Sequence, residues 1–149
     1  MLITKEIEID LAHRIPSHHS KCRNLHGHRY RIEVGVDDKI VLEKGRSDEG
    51  MVIDFSDLKK IMMDEIDEIY DHNSIFSMED PILPIVGEIQ RLTMQPKKII
   101  IVGFIPTAEN LARHWYEVIE PKLQEKNIKI HHVKVWETPS STALYVKEN

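Results

Sequence analysis

Apolar and polar residues alternate with period two in two early stretches of the chain. In residues 2–13, Ile3, Ile7, Ile9, Leu11 and His13 share one side, and Thr4, Glu6, Glu8 and Asp10 the other. In residues 26–37, His26, His28, Tyr30, Ile32, Val34 and Val36 oppose Arg29, Arg31, Glu33 and Asp37. Successive side chains of a strand point to opposite faces, so each stretch predicts a strand with one face in a core. The polar, basic residues 14–25 between them read as a loop, as do residues 43–50 further on.

The period then lengthens. Leu58, Ile61, Met62, Ile66 and Ile69 form a stripe at helical spacing over residues 57–70, with Ser56 or Asp57 as its cap. A second helix starts after Thr107, with Leu111, Ala112, Trp115, Val118 and Ile119 inside, and Pro121 should kink or end it. Strands are predicted at 128–137, with Val133, Val135 and Glu137 on one face, and at 142–147. Residues 71–98 carry Pro81, Pro84 and Pro96 and predict little beyond a short helix near 85–93; Ile99–Val102 reads as a buried strand. Helices and mostly antiparallel strands in this arrangement indicate an α+β fold.

The 149 residues fit one domain, 1–149, large enough to bury about 70% of the surface its unfolded chain exposes. A net charge of −5 offers no basic footprint for nucleic acid, and no apolar run approaches the ~20 residues of a membrane span. One cysteine, Cys22, precludes an intrachain disulfide and fits a reducing, cytoplasmic setting.

Histidine is over-represented, with 9 residues. His26 and His28 sit two apart and therefore face one way, at the rim of the core face of their strand. His13 ends the core face of the first strand. Antiparallel pairing through the 14–25 loop would bring the three imidazoles together as a zinc site with an open fourth position. Cys22 could close that site as a fourth ligand, stand beside it as a thiolate base, or be an ordinary small buried residue. Asp71-His72 could be a carboxylate-oriented imidazole or a solvated helix end. Glu137 enters a core face and needs a partner there: a ligand with adjacent N–H groups, backbone or an arginine.

Six short motifs occur in order along the chain: Leu11-Ala12-His13, Cys22-Arg23-Asn24-Leu25-His26-Gly27-His28, Gly50-Met51-Val52-Ile53-Asp54-Phe55, Asp71-His72-Asn73, Pro106-Thr107-Ala108-Glu109-Asn110 and Glu137-Thr138. The ordered set resembles the 6-pyruvoyl-tetrahydropterin synthase superfamily, and within it the bacterial 6-carboxytetrahydropterin synthases. The resemblance implies a tunnelling fold: an antiparallel four-stranded sheet with two helices on one face, assembled as a homohexamer with active sites between subunits. It further implies Zn2+ on His13, His26 and His28, Cys22 as the proton-abstracting thiolate, and Asp71-His72 as a proton relay. Glu137 would grip a pterin ring, with Thr107 and Glu109 lining its pocket and His18, His19, Lys21 and Arg23 as candidates for the triphosphate. The implied substrate is 7,8-dihydroneopterin triphosphate. The three-residue spacer between Cys22 and His26 is that of the carboxy branch. Residues 74–105 depart from the pattern, being longer and more apolar.

Overall fold

The computed structural model describes residues 1–94 and 99–148. Strands β1 (Leu2–His13) and β2 (His26–Asp37) form where the alternation placed them, as an antiparallel pair in unbroken register from Leu2↔Asp37 to His13↔His26. Next to β2 lies β5 (Ile130–Thr138), and then β6 (Ser141–Tyr145), both antiparallel to their neighbours.

The expected four-stranded antiparallel sheet is therefore only part of the observed one, which has six strands in the order β4-β3-β1-β2-β5-β6. β3 (Asn73–Ser77) runs parallel to the end of β1, and β4 (Ile100–Val102) parallel to β3. β3 gave no signal because Ile75, Phe76 and Ser77 are all buried, so no polar face alternates with an apolar one. β4 lies at the sheet edge rather than in the core, with Ile101 about half exposed.

Three helical segments accompany the sheet instead of two. The first comprises α1 (Phe55–Met62), a π turn (Met63–Asp67) and α2 (Glu68–Tyr70). Its cap is Asp54, whose carboxylate accepts from the Ser56 N–H at 2.7 Å, rather than Ser56 or Asp57. α3 (Leu83–Thr93) confirms a helix near 85–93; Pro96 lies outside the described residues. α4 (Ala108–Gln124) passes through Pro121 and stops within a turn of it. Leu123, fully buried, holds that last turn against the core.

The core lies between one sheet face and two of these segments. Ile9, Leu11, Tyr30, Ile32, Val34, Val133 and Val135 meet Leu58, Met62 and Ile66 from one side and Leu111, Trp115 and Ile119 from the other. Each fully buried apolar side chain contributes about 1.5–3 kcal/mol. The register that buries these residues also fixes what stands at the end of the same face. Among the described residues no helix is long and apolar enough to cross a membrane.

Candidate metal centre and active site

The core face of β1 and β2 ends in histidine. The cross-strand pairs His13↔His26 and Leu11↔His28 put three imidazoles at one end of the sheet. Their ring centroids lie 4.6, 5.2 and 5.0 Å apart, and one ligand atom from each falls within 4.8 Å of the others. Gly27, between His26 and His28, lies close to the β1 backbone: a Cβ there would sit 3.1 Å from the Leu11 carbonyl oxygen.

Backbone carbonyls select the tautomers. His13 Nδ1–H donates to the Pro106 oxygen and His26 Nδ1–H to the Asn24 oxygen, each at 2.7 Å. In the neutral rings both Nε2 atoms then present lone pairs, and these face one another at 3.1 Å. Two lone pairs so placed can share a cation. Tetrahedral zinc with Zn–N bonds of 2.0–2.1 Å separates its nitrogens by about 3.4 Å, so the pair fits a metal ion. Burial also holds the His13 and His28 pKa values below the ordinary histidine range and keeps the rings neutral, the form that binds metal. At His13 the Pro106 hydrogen bond opposes that shift without reversing it.

A small cavity of about 240 Å³ opens beside His13. His18, Cys22, Thr107, Glu109 and Glu137 line it with His13, so the fold gathers six of the sequence-predicted site residues at one place. Cys22 is delivered by a short 3-10 turn (Lys21–Arg23) tied to the segment just after β1, where the Ile15 N–H donates to the Cys22 carbonyl at 2.8 Å. Its sulfur is not a member of the close ligand set formed by the three imidazoles. Thr107 does cap α4, accepting from the Asn110 N–H at 3.4 Å, and lines the cavity as well. Of the basic loop residues only His18 reaches the lining; His19, Lys21 and Arg23 do not.

Glu137 lies at the end of the β5 core face, 3.7 Å from His13 Nε2 and 4.0 Å from His28 Nε2. Its nearer partner is Tyr30, whose hydroxyl donates to Oε1 at 3.4 Å. Tyr30 is fully buried and packs edge-on against His13 and His28. Burial, with the Glu137 charge, pushes its phenol well above the ordinary tyrosine range, so the proton stays on oxygen. The sequence placed Tyr30 on the right face but gave it no role. Its position two residues beyond His28, on the strand face where Glu137 also ends, was the signal.

Asp71 and His72 do not join this cluster. His72 Nδ1–H donates to Asp71 Oδ2 at 2.6 Å, so the carboxylate–imidazole pair exists. It gathers with Asp10, however, on the opposite face of β1. The Asp10 N–H donates to Asp71 at 2.8 Å, and the His72 N–H to the Asp10 carbonyl at 2.7 Å. Burial opposes ionisation of Asp71, but the Asp10 N–H and the His72 ring outweigh it and hold the carboxyl below its usual range.

Comparison with known proteins bears on the family and the fold. The sequence model of the 6-pyruvoyl tetrahydropterin synthase family matches residues 2–148. A 6-carboxy-5,6,7,8-tetrahydropterin synthase of Rickettsia felis is 38% identical over 139 residues, covering 92% of this chain and 94% of that protein. One from Haemophilus influenzae is 32% identical over 147 residues, covering 96% of each. Among solved structures, an uncharacterized protein of Wolinella succinogenes superposes with a TM-score of 0.80 at 24% identity, covering 99% of this chain and 98% of that one. The 6-pyruvoyl tetrahydropterin synthase of Caenorhabditis elegans gives 0.69 at 21%, covering 99% and 96%. At these identities the two structures establish the shared fold.

Proposed function

The chain belongs to the 6-pyruvoyl tetrahydropterin synthase family, and from that premise we propose that it converts 7,8-dihydroneopterin triphosphate and one water to 6-carboxy-5,6,7,8-tetrahydropterin, acetaldehyde and triphosphate, the water supplying the second carboxylate oxygen. The product would enter the route to queuosine and related deazapurines. One observation carries the reading: a single cavity brings Cys22, Thr107, Glu109 and Glu137 against His13 of the three-histidine cluster. The names of the relatives at 32% and 38% identity support the carboxy branch over the pyruvoyl branch.

His13, His26 and His28 would hold zinc through their Nε2 faces, which the Pro106 and Asn24 carbonyls set for His13 and His26. Zinc bound there would supply Lewis-acid stabilisation of negative charge on a substrate oxygen. Glu137 would accept two parallel hydrogen bonds from the amino and ring N–H groups of the pterin, with its carboxylate steadied by Tyr30. Thr107 and Glu109 would bound the ring. Cys22, which stands outside the imidazole set, would remain free to act as thiolate base at a side-chain carbon. Asp71 would orient His72 for proton transfer. Because that pair lies on the other face of β1, its partner site would belong to an adjacent copy, as expected of a homo-oligomer with shared active sites.

The test is mass-spectrometric product analysis after zinc-loaded protein meets 7,8-dihydroneopterin triphosphate, with Cys22→Ala as control. Carboxytetrahydropterin and acetaldehyde are expected from the wild type, and neither from the variant at unchanged zinc content. A pyruvoyl product would move the chain to the other branch. Loss of zinc from Cys22→Ala would make Cys22 a ligand and refute its role as base.

A further inference from the structure

His131 and His132 stand apart from the cluster already described, next to each other on β5. Neighbouring strand residues ordinarily point to opposite faces. Here the register shifts: Val36 of β2 pairs with Ile130 and Gly35 with His132, which leaves His131 as an extra residue. This bulge explains why Ile130 and Val133, an odd interval apart, both join the core. It also brings the two imidazoles together, with their Nδ1 atoms 2.8 Å apart and their planes at 87°.

His132 is locked in place. It is buried, and its ring lies over Gly35, where any Cβ would collide with it. Its Nε2–H donates to the Glu33 carboxylate at 2.9 Å. That bond leaves Nδ1 of the neutral ring with a lone pair on the side of His131. A carboxylate on the far nitrogen of an imidazole is the arrangement that orients a metal-ligating histidine and raises its basicity. His131 is half-buried and lines an open surface cavity of about 830 Å³, which gives ions a way in.

We propose that His131 and His132 form a second metal site, binding through both Nδ1 atoms a divalent ion that favours nitrogen ligands at right angles, Ni2+ or Cu2+. Bonds of about 2.0 Å at a right angle separate two nitrogens by about 2.8 Å, whereas tetrahedral zinc needs about 3.4 Å. The observed separation of 2.8 Å matches the right-angle arrangement. Without metal, the His131 Nδ1–H donates to His132 Nδ1. On binding, that proton moves to His131 Nε2, both rings stay neutral, and water fills the remaining positions. Glu33 is an odd interval from His28 on β2, so the pair sits on the sheet face away from the three-histidine cluster. The inference does not depend on the catalytic reading.

The experiment is equilibrium dialysis of the untagged, zinc-loaded full chain against Ni2+, a probe that does not oxidise Cys22, with both metals counted per chain. Nickel is expected to bind while zinc is retained. His131→Ala is expected to weaken nickel binding at least tenfold with circular dichroism unchanged. Glu33→Gln keeps an acceptor for His132 and is expected to weaken it about tenfold. His26→Ala, which should lose zinc, is expected to bind nickel as the wild type does. Equal nickel affinity in wild type and His131→Ala would overturn the proposal and leave the 2.8 Å contact as a hydrogen bond alone. So would nickel taken up only in exchange for zinc, or lost with His26→Ala.

Discussion

Replacing Tyr30 with phenylalanine removes one oxygen from the point where the histidine cluster and Glu137 meet. The ring remains, and with it the edge-on contacts to His13, His28 and Trp115 at centroid distances of 5.9, 5.6 and 6.2 Å. What is lost is a hydroxyl hydrogen bond to a carboxylate. Such bonds are worth about 1.5–3 kcal/mol, but this one is long at 3.4 Å and its acceptor is 27% exposed, so water can replace part of it. A cost of about 1 kcal/mol follows, or about 3 °C in Tm for a chain of this length. His13 should not be disturbed, because its Nδ1–H is fixed by the Pro106 carbonyl at 2.7 Å, a stronger contact than the 3.3 Å to Tyr30. Metal content is therefore expected to hold. The KM for the pterin substrate should rise about fivefold as Glu137 loses its support, with kcat changed less. Thermal melts, metal analysis and initial rates measure these quantities. A variant that loses half its metal while keeping its KM would show that the hydroxyl serves His13 instead, and the reasoning would fail.

Two further outcomes are expected. Arg14 Nε and Asp80 Oδ2 approach to 3.1 Å with side-chain exposures of 10% and 0%, and neither atom has an aligned hydrogen-bond partner among the described residues. Arg14→Met and Asp80→Asn should each cost about 3 kcal/mol by leaving a buried charge alone, and the double variant less than their sum; additive costs in denaturant titrations would show that the two charges do not support each other. Mixing Cys22→Ala with His72→Ala, each inactive alone, should restore activity at about a quarter of the sites if Cys22 and His72 act from different copies; no recovery after subunit exchange would refute a shared site.

How far the sequence was readable depended on whether a residue's environment leaves a periodic trace. β1 and β2 have one buried and one solvated face, and the alternation returned both strands and, with them, the three histidines at one end. α4 has a stripe and a threonine cap, and both appeared. β3 has neither, since Ile75 and Phe76 are buried on opposite faces. The Asp54 cap was displaced by two residues because serine and aspartate recur at 54, 56 and 57, and composition does not rank them. Side-chain roles were readable only where the residue type is chemically costly to bury. Glu137 and the histidines drew notice on that ground, whereas Tyr30 passed as one more core aromatic. The carbonyls of Asn24 and Pro106 belong to no side chain, so their part in orienting the imidazoles required coordinates.

The separation of Asp71-His72 from the three histidines follows from strand geometry rather than from loop placement. His13 and Asp10 are three residues apart on β1, an odd interval, and so they face opposite sides of the sheet. Asp71 is fastened to the Asp10 N–H and His72 to the Asp10 carbonyl, which commits the pair to the Asp10 side. His72 adopts a left-handed backbone with φ 55°, a conformation that costs a non-glycine residue about 1 kcal/mol or more and persists only where surrounding bonds impose it. Those bonds hold a side chain that is 75% exposed, with its Nδ1 on Asp71 and its ring outside the three-histidine group of the same chain. Turning that ring to the cluster of the same chain would require breaking the strand register that buries Ile9 and Leu11. A histidine oriented by a carboxylate and turned outward fits the proposal that it acts on a site of another copy.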